Sequence, residues 1–176
     1  SDKLRAEAAS RVGSKIGSMI GGSVGNLVSS QINEQTTKLA SAKRELKPAI
    51  MGLDAMTSFT VLTFSDTVKN WKGTLTPATD STKALGYAYV SNLDTEGGTK
   101  ALSGLRTAFS VQGVDTIFFL SDGQPSDASP DEIIRQVGKM NKNKKVKLHT
   151  IGLGDDKNEQ FMKELADDNG GKYIEG

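Results

Sequence analysis

The stretch from Ile117 to Pro125 constrains the fold of this chain more than any other part of its sequence. It begins with an unbroken apolar run, Ile117–Leu120, and continues into a short polar turn that carries one carboxylate, Asp122. An apolar run without alternation is typical of a parallel strand that is buried on both faces. Because open α/β sheets hold their ligands at the carboxyl ends of strands, we expect Asp122 at that edge, in a site for a hard cation rather than as a nucleophile.

The composition is that of one soluble globular domain of 176 residues, which is long enough to bury a proper core. A net charge of +1 gives no overall attraction to nucleic acid, so no nucleic-acid partner is expected. The absence of cysteine excludes disulfides and thiolate metal sites but leaves the compartment open. We expect no membrane span, because no apolar run approaches the roughly 18 residues needed, and no signal peptide opens the sequence.

Strand and helix patterns alternate along the rest of the chain, which predicts an α/β fold with three layers. The sheet should be doubly wound and mainly parallel, with helices on both faces, as in dinucleotide-binding folds. Strands are predicted at Phe59–Phe64, Val68–Trp71 (an edge strand), Ile117–Leu120, Val146–Leu153 and Lys172–Ile174. Helices are predicted to begin near Thr79 or Asp80, at Thr99, at Ser129-Pro130 and before Phe161.

The first 35 residues look different from the remainder, so we divide the chain into an N-terminal helical, glycine-rich segment (residues 1–35) and a domain (residues 36–176). Glycines recur at every fourth position from Gly13 to Gly25, which on a helix forms a groove for close packing or self-association. The alternative is a flexible insertion. Apolar spacing then predicts a helix over Leu39–Leu53, which Pro48 should kink or end early.

Several motifs in this order resemble the von Willebrand factor A (vWA) domain, and the bacterial members most of all. The resemblance covers residues from about Thr36 to Gly176. It rests on Phe64-Ser65-Asp66, Gly97-Gly98-Thr99, Leu120-Ser121-Asp122-Gly123, Ile151-Gly152-Leu153-Gly154 and Asn169-Gly170-Gly171. It implies the three-layer fold described above and a metal-ion-dependent adhesion site for Mg²⁺ or Mn²⁺, in which the metal bridges to a carboxylate of a protein partner.

The same resemblance assigns roles to individual residues. Thr99 and Asp122 correspond to two of the three elements that hold the metal, and oxygen ligands of this kind suit a hard cation. The neighbouring residues expected to contact a partner are Ser1, Gly98, Ser121, Gly123 and Gln124. Asp127 is expected to serve as a turn or cap residue instead.

The chain departs from the family pattern in its first motif. No Asp-x-Ser-x-Ser sequence occurs, and no apolar strand is recognised before the first helix, although that strand lies in the middle of the family's sheet. In one explanation Ser1 follows a missing turn, and Lys3-Leu4 is the Lys-Leu pair of the helix after it. In the other, Ser14–Met19 is a degenerate motif that cannot bind metal. The poor strand propensity of Arg5–Val12 favours the first explanation.

We therefore expect a protein-binding module rather than an enzyme, using the C-terminal edge of the sheet with a possible divalent cation. The alternative is a metal-independent scaffold whose site has degenerated and which associates with another copy or with a membrane surface through Gly13–Gly25. A phosphate-handling enzyme is a weaker rival, since the sequence contains no P-loop and no recognisable general base. His149, the sole histidine, is expected to be structural.

Overall fold

A computed structural model describes residues 26–29, 36–94 and 98–176. The predicted contact residue Ser1 and the proposed helix or self-association segment at Gly13–Gly25 lie outside these ranges. Among the described helices, none is both long enough and apolar enough to cross a membrane.

Eight strands and five helices make up the described part of the chain. The helices are α1 (Thr36–Met51), α2 (Asp80–Ser91), α3 (Ala101–Ser110), α4 (Pro130–Met140) and α5 (Glu159–Asp167). The strands are β1 (Asn26–Ser29), β2 (Ser58–Phe59), β3 (Val61–Phe64), β4 (Val68–Asn70), β5 (Thr76–Pro77), β6 (Thr116–Ser121), β7 (Lys147–Gly152) and β8 (Tyr173–Glu175).

Six of the strands form one sheet in the order β4-β3-β1-β6-β7-β8. Strand β4 runs antiparallel to β3, and the other neighbours are parallel. Helices cover both faces, because β6 directs Phe118 and Leu120 into a core with α1 and α2, and Ile117 and Phe119 into a core with α3, α4 and α5. The predicted three-layer, doubly wound α/β fold is confirmed.

The prediction that the first strand is missing is wrong. Strand β1 lies in the middle of the sheet, where Leu27 is in register with Val61 of β3 on one side and Phe118 of β6 on the other. Strands β3 and β6 therefore have a partner, and no missing segment is needed to pair their edges. The sheet also begins before residue 36, within the range that the sequence had assigned to a separate N-terminal segment.

The remaining local predictions need only small adjustments. Helix α1 continues through Pro48 to Met51, so the proline does not end it early. The strand predicted over Phe59–Phe64 is divided into β2 and β3 at Thr60, where β2 leaves the main sheet to pair with β5. Caps were predicted correctly at Thr79 and Ser129, whose side chains accept hydrogen bonds from the backbone N–H groups of Thr82 and Glu132.

His149 is buried in β7, where its ring stacks on Phe118 with 4.9 Å between centroids. Its Nδ1 accepts a hydrogen bond of 3.0 Å from the backbone N–H of Lys172. Burial, with smaller contributions from the charges of Lys147 and Lys172, lowers the pKa of the imidazole to about 4. The ring is therefore neutral in the folded protein at neutral pH.

This depressed pKa makes the stability depend on pH. Because the unfolded imidazole takes up a proton near its ordinary pKa of 6.5 and the folded one only near 4, stability present above pH 6.5 is lost as the pH falls toward 4. The loss should reach about 3 kcal/mol. Asparagine at position 149 keeps an acceptor for Lys172 but cannot titrate. Urea denaturation from pH 7 to pH 4 should thus show a smaller loss in the free energy of unfolding for His149→Asn than for the wild type. Equal losses in the two proteins would contradict the lowered pKa of His149.

Candidate functional site

The C-terminal edge of the sheet is built from loops that are tied to one another by backbone hydrogen bonds. The N–H of Lys100 donates to the carbonyl of Ser65 after β3, at 3.0 Å. The N–H of Ser126, in the loop after β6, donates to the carbonyl of Thr99 at 2.9 Å. The N–H of Asn158, after β7, donates to the carbonyl of Asp122 at 2.7 Å. Three loops from different strands therefore form one connected surface around the end of β6.

The residues expected at the site lie at this edge but at different depths. Asp122, Thr99 and Ser121 are buried, with only 2%, 1% and 1% of their surfaces exposed. Gln124 is exposed, and Gly98 is partly exposed. The structure thus brings the Thr99 turn and the Asp122 loop together, with Gln124 as the side chain among them that faces solvent.

Two glycines shape these loops through their backbones. Gly98 has a φ of +81°, and a Cβ there would lie 2.0 Å from Oδ1 of Asp66. Gly123 has a φ of +73° and is buried, and a Cβ there would lie 2.9 Å from the carbonyl oxygen of Asn158. Both positions need the left-handed conformation that glycine adopts without strain. Gly123 therefore sets the turn after Asp122 rather than presenting a surface to a partner.

The carboxylate of Asp122 is held on both oxygens. Its Oδ1 accepts a hydrogen bond of 3.0 Å from the backbone N–H of Gln124, and its Oδ2 accepts one of 2.8 Å from Nζ of Lys38. Lys38 lies in the first turn of α1 and is itself buried, with 9% of its surface exposed. A buried ammonium–carboxylate pair with additional hydrogen bonds avoids the large cost of an isolated buried charge.

A second carboxylate completes this ionic cluster, since Nζ of Lys38 also lies 3.1 Å from Oδ1 of Asp156, in the loop after β7. Burial by itself lowers the pKa of the Lys38 ammonium, but hydrogen bonds and charge attraction to Asp122 and Asp156 outweigh it and raise the pKa above its ordinary value. The hydrogen bond from Lys38 likewise lowers the pKa of the exposed Asp156 carboxyl. At neutral pH the ammonium of Lys38 therefore lies between the side chains of Asp122 and Asp156.

These contacts do not fit a divalent metal ion at Asp122. Both oxygens of Asp122 are already engaged, Oδ2 by the ammonium of Lys38. A unit positive charge about 4 Å from a divalent ion is repelled by on the order of 8 kcal/mol at an effective dielectric constant of about 20. Strand β1 ends at Ser29, and the next four residues of the sequence include no aspartate. Among the described residues no group of three or more His, Asp or Glu side chains could hold a metal.

Asp127 acts as a capping residue, as expected from the sequence. Its carboxylate accepts hydrogen bonds from the backbone N–H groups of Leu102 and Ser103, at 3.1 and 2.9 Å. It thereby caps the first turn of α3 from a distant loop, where the positive end of the helix dipole favours a carboxylate. The helix begins at Ala101 with Lys100 as its N-cap, so the start predicted at Thr99 lies slightly too early.

A cavity of about 500 Å³ opens beside the ionic cluster. Its walls come from α1, from the loop after β7 and from the residue after β8. They carry both charges and backbone: Lys38, Ser41, Arg44, Gly154, Asp155, Asp156 and Gly176. On the outer side, Nε2 of Gln124 donates to the carbonyl of Asp156 at 2.8 Å. The edge therefore combines a fixed polar rim with a depression next to it.

Sequence reasoning missed the two residues that contact Asp122 and its loop most directly, Lys38 and Asp156. A signal for Lys38 was present, because the expected Lys-Leu pair of the first helix occurs at Lys38-Leu39 as well as at Lys3-Leu4. Once β1 is placed at Asn26–Ser29, the pair at 38–39 is the one in the following helix. No comparable signal marked Asp156, which lies in a loop with no regular pattern.

Comparison with known proteins agrees with this architecture. Residues 28–174 match the family model of the von Willebrand factor type A domain, and the chain belongs to that family. The human von Willebrand factor A domain-containing protein 3A is 33% identical over 118 residues, which cover 66% of this chain and 10% of that protein.

Two solved structures share the fold. A von Willebrand factor type A protein from Catenulispora acidiphila superimposes with a TM-score of 0.76 and 20% identity over 88% of this chain and 38% of that one. The manganese-loaded TRAP protein of Plasmodium vivax gives a TM-score of 0.66 and 15% identity, covering 88% of this chain and 68% of that one. The chain spans only about a tenth of its human relative, so the match concerns this domain and not a whole protein.

Proposed function

We propose that this domain binds a protein partner through the C-terminal edge of its sheet. Domains of the vWA family generally mediate protein–protein interaction, and this chain belongs to that family. The observation that supports this edge in particular is the set of hydrogen bonds that join the loops after β3, β6 and β7 and the turn before α3. A surface that is ordered before binding loses little conformational entropy when a partner docks.

The chemistry of the edge suits recognition better than catalysis. Both oxygens of Asp122 are engaged, and Asp127 is occupied as a helix cap, so neither carboxylate is placed as a general base. His149 is buried within β7, and its ring stacks on that of Phe118. We therefore propose a binding module and not an enzyme. The cavity beside Lys38 offers a partner side chain a place to insert.

The rival mode of binding is a bridge from a divalent cation to a carboxylate of the partner. It is supported by the manganese-loaded Plasmodium vivax TRAP protein, which shares this fold, although the manganese is a property of that protein. The contacts of Lys38 with Asp122 and Asp156 favour direct, metal-independent contacts in this chain. Partner affinity that falls in the presence of EDTA would support the bridge instead.

A pair of matched substitutions tests the location of the binding surface. Gln124→Arg places a long cation on the C-terminal edge, and Gln112→Arg makes the same change in the loop before β6, at the opposite edge. A partner is first captured on the immobilised domain and identified by mass spectrometry, and its Kd for each variant is then measured with purified proteins. We expect Gln124→Arg to weaken binding about tenfold or more and Gln112→Arg to change it by less than about twofold.

The opposite pattern would overturn the assignment of the edge. If Gln112→Arg weakens binding and Gln124→Arg does not, the partner contacts the other end of the sheet. Equal losses in both variants, with unchanged melting temperatures, would likewise mean that net charge and not the edge controls binding.

A further inference from the structure

We infer that the ammonium of Lys38 is the cation that pairs with Asp122 in this vWA domain and that it excludes a divalent metal ion from Asp122. Its Nζ lies 2.8 Å from Oδ2 of Asp122 and 3.1 Å from Oδ1 of Asp156, so one positive charge lies between two carboxylates. This inference concerns metal binding alone and stands whether or not a protein partner uses the edge.

Because the Lys38–Asp122 ion pair is buried, the ammonium is held in place by the surrounding structure and is not a mobile surface group. The side chains of Lys38 and Asp122 expose only 10% and 2% of their surfaces. The stem of Lys38 also packs beside Gly154, where a Cβ would lie 3.2 Å from Cε of Lys38. If an ammonium that is buried, packed and doubly paired moves away, it leaves the carboxylate of Asp122 buried without a compensating positive charge.

The chemistry of the donors supports a cation with one charge. Mg²⁺ is usually held by one or two carboxylates and several waters, so it needs carboxylates whose charge is not already neutralised. The described part of the site supplies two carboxylates, Asp122 and Asp156, and both already contact the ammonium of Lys38. An ammonium needs three acceptors at most and is satisfied by oxygens of this number and geometry.

Metal titration of the 176-residue protein tests the inference without a partner. Free Mn²⁺ is followed by electron paramagnetic resonance, and Tm is measured in EDTA and in about 5 mM MgCl₂ or MnCl₂. A hundredfold excess of metal over its Kd raises Tm by roughly 5–10 °C in a domain of this size. For the wild type we expect no Mn²⁺ uptake that depends on Asp122 and a Tm change of less than about 1 °C.

Variants that remove the ammonium should gain the metal binding that the wild type lacks. Lys38→Gln and Lys38→Met leave Asp122 without this cation, so Mn²⁺ should raise their Tm by about 5 °C or more, and the additional change Asp122→Asn should abolish that gain. Lys47→Met, on the same helix, is the matched control and should stay insensitive to metal.

Two results would overturn the inference. The first is Mn²⁺ binding by the wild type that is lost in Asp122→Asn, which would show that the metal displaces Lys38. The second is folded Lys38→Gln or Lys38→Met protein whose Tm does not respond to Mn²⁺, which would show that the ammonium is not what excludes the metal. The wild-type measurement decides the first point even where a variant fails to fold.

Discussion

Replacing Lys38 by methionine should lower the free energy of unfolding by about 3–5 kcal/mol, the range found when one partner of a buried ion pair is removed. Methionine keeps the length and most of the volume of the side chain but leaves Asp122, which is only 2% exposed, without the ammonium that contacts it at 2.8 Å. Urea denaturation at pH 7, followed by circular dichroism, measures the change. It should appear as a lower midpoint at a nearly constant slope.

The control for this prediction is Lys47→Met, the same change two and a half turns further along α1. Lys47 lies near the ring of Tyr87, with Nζ 5.0 Å from the centroid, and is half-buried. Its removal should cost less than about 1 kcal/mol. The double variant Lys38→Met with Asp122→Leu should cost clearly less than the two single changes together, because they remove the same interaction. Additive losses would mean that Lys38 and Asp122 are not energetically coupled.

Gly171→Ala should also be strongly destabilising, with an expected loss of about 3 kcal/mol or more in the free energy of unfolding. A Cβ at this position would lie 1.8 Å from the carbonyl oxygen and 2.3 Å from the carbonyl carbon of Leu148, which belong to the backbone of β7. Neither atom can move without breaking the pairing of β7 with its neighbours, so the clash is relieved only by displacing β8 or distorting the sheet. Thermal and urea denaturation both measure this loss.

Gly138→Ala is the matched control, because it makes the same substitution where the space around the glycine is open. Gly138 lies inside α4, and no atom lies within 4 Å of the position its Cβ would take. Alanine has the higher helix propensity, so this variant should be more stable than the wild type by about 0.5–1 kcal/mol. A Gly171→Ala protein as stable as the wild type would show that β7 and the turn before β8 are not packed as described.

Local sequence patterns predicted much of the fold because they report interactions between near neighbours. The unbroken apolar run of β6 reflects a strand covered on both faces, and the Ser129-Pro130 start of α4 is a capping interaction within one turn. The position of Asp122 at the sheet edge follows from the same run. It required only that a turn begin where the apolar residues end.

Strand β1 was missed for the complementary reason. It has four residues, of which Leu27 and Val28 are apolar, and it follows directly on the glycine-rich stretch that ends at Gly25. Nothing in so short a segment separates a strand from the end of an apolar helix. Its conformation follows from pairing with β3 on one side and β6 on the other, and those partners lie far away in the sequence.

The sequence by itself therefore determined an α/β domain in which a buried strand delivers one carboxylate, Asp122, to the edge of the sheet. Only the tertiary structure decided what that carboxylate meets, because its partner Lys38 is 84 positions away along the chain. The pairing depends on where β1 and α1 lie against β6. Hydrophobic periodicity fixes the elements, but the neighbours of a buried charge depend on how those elements pack.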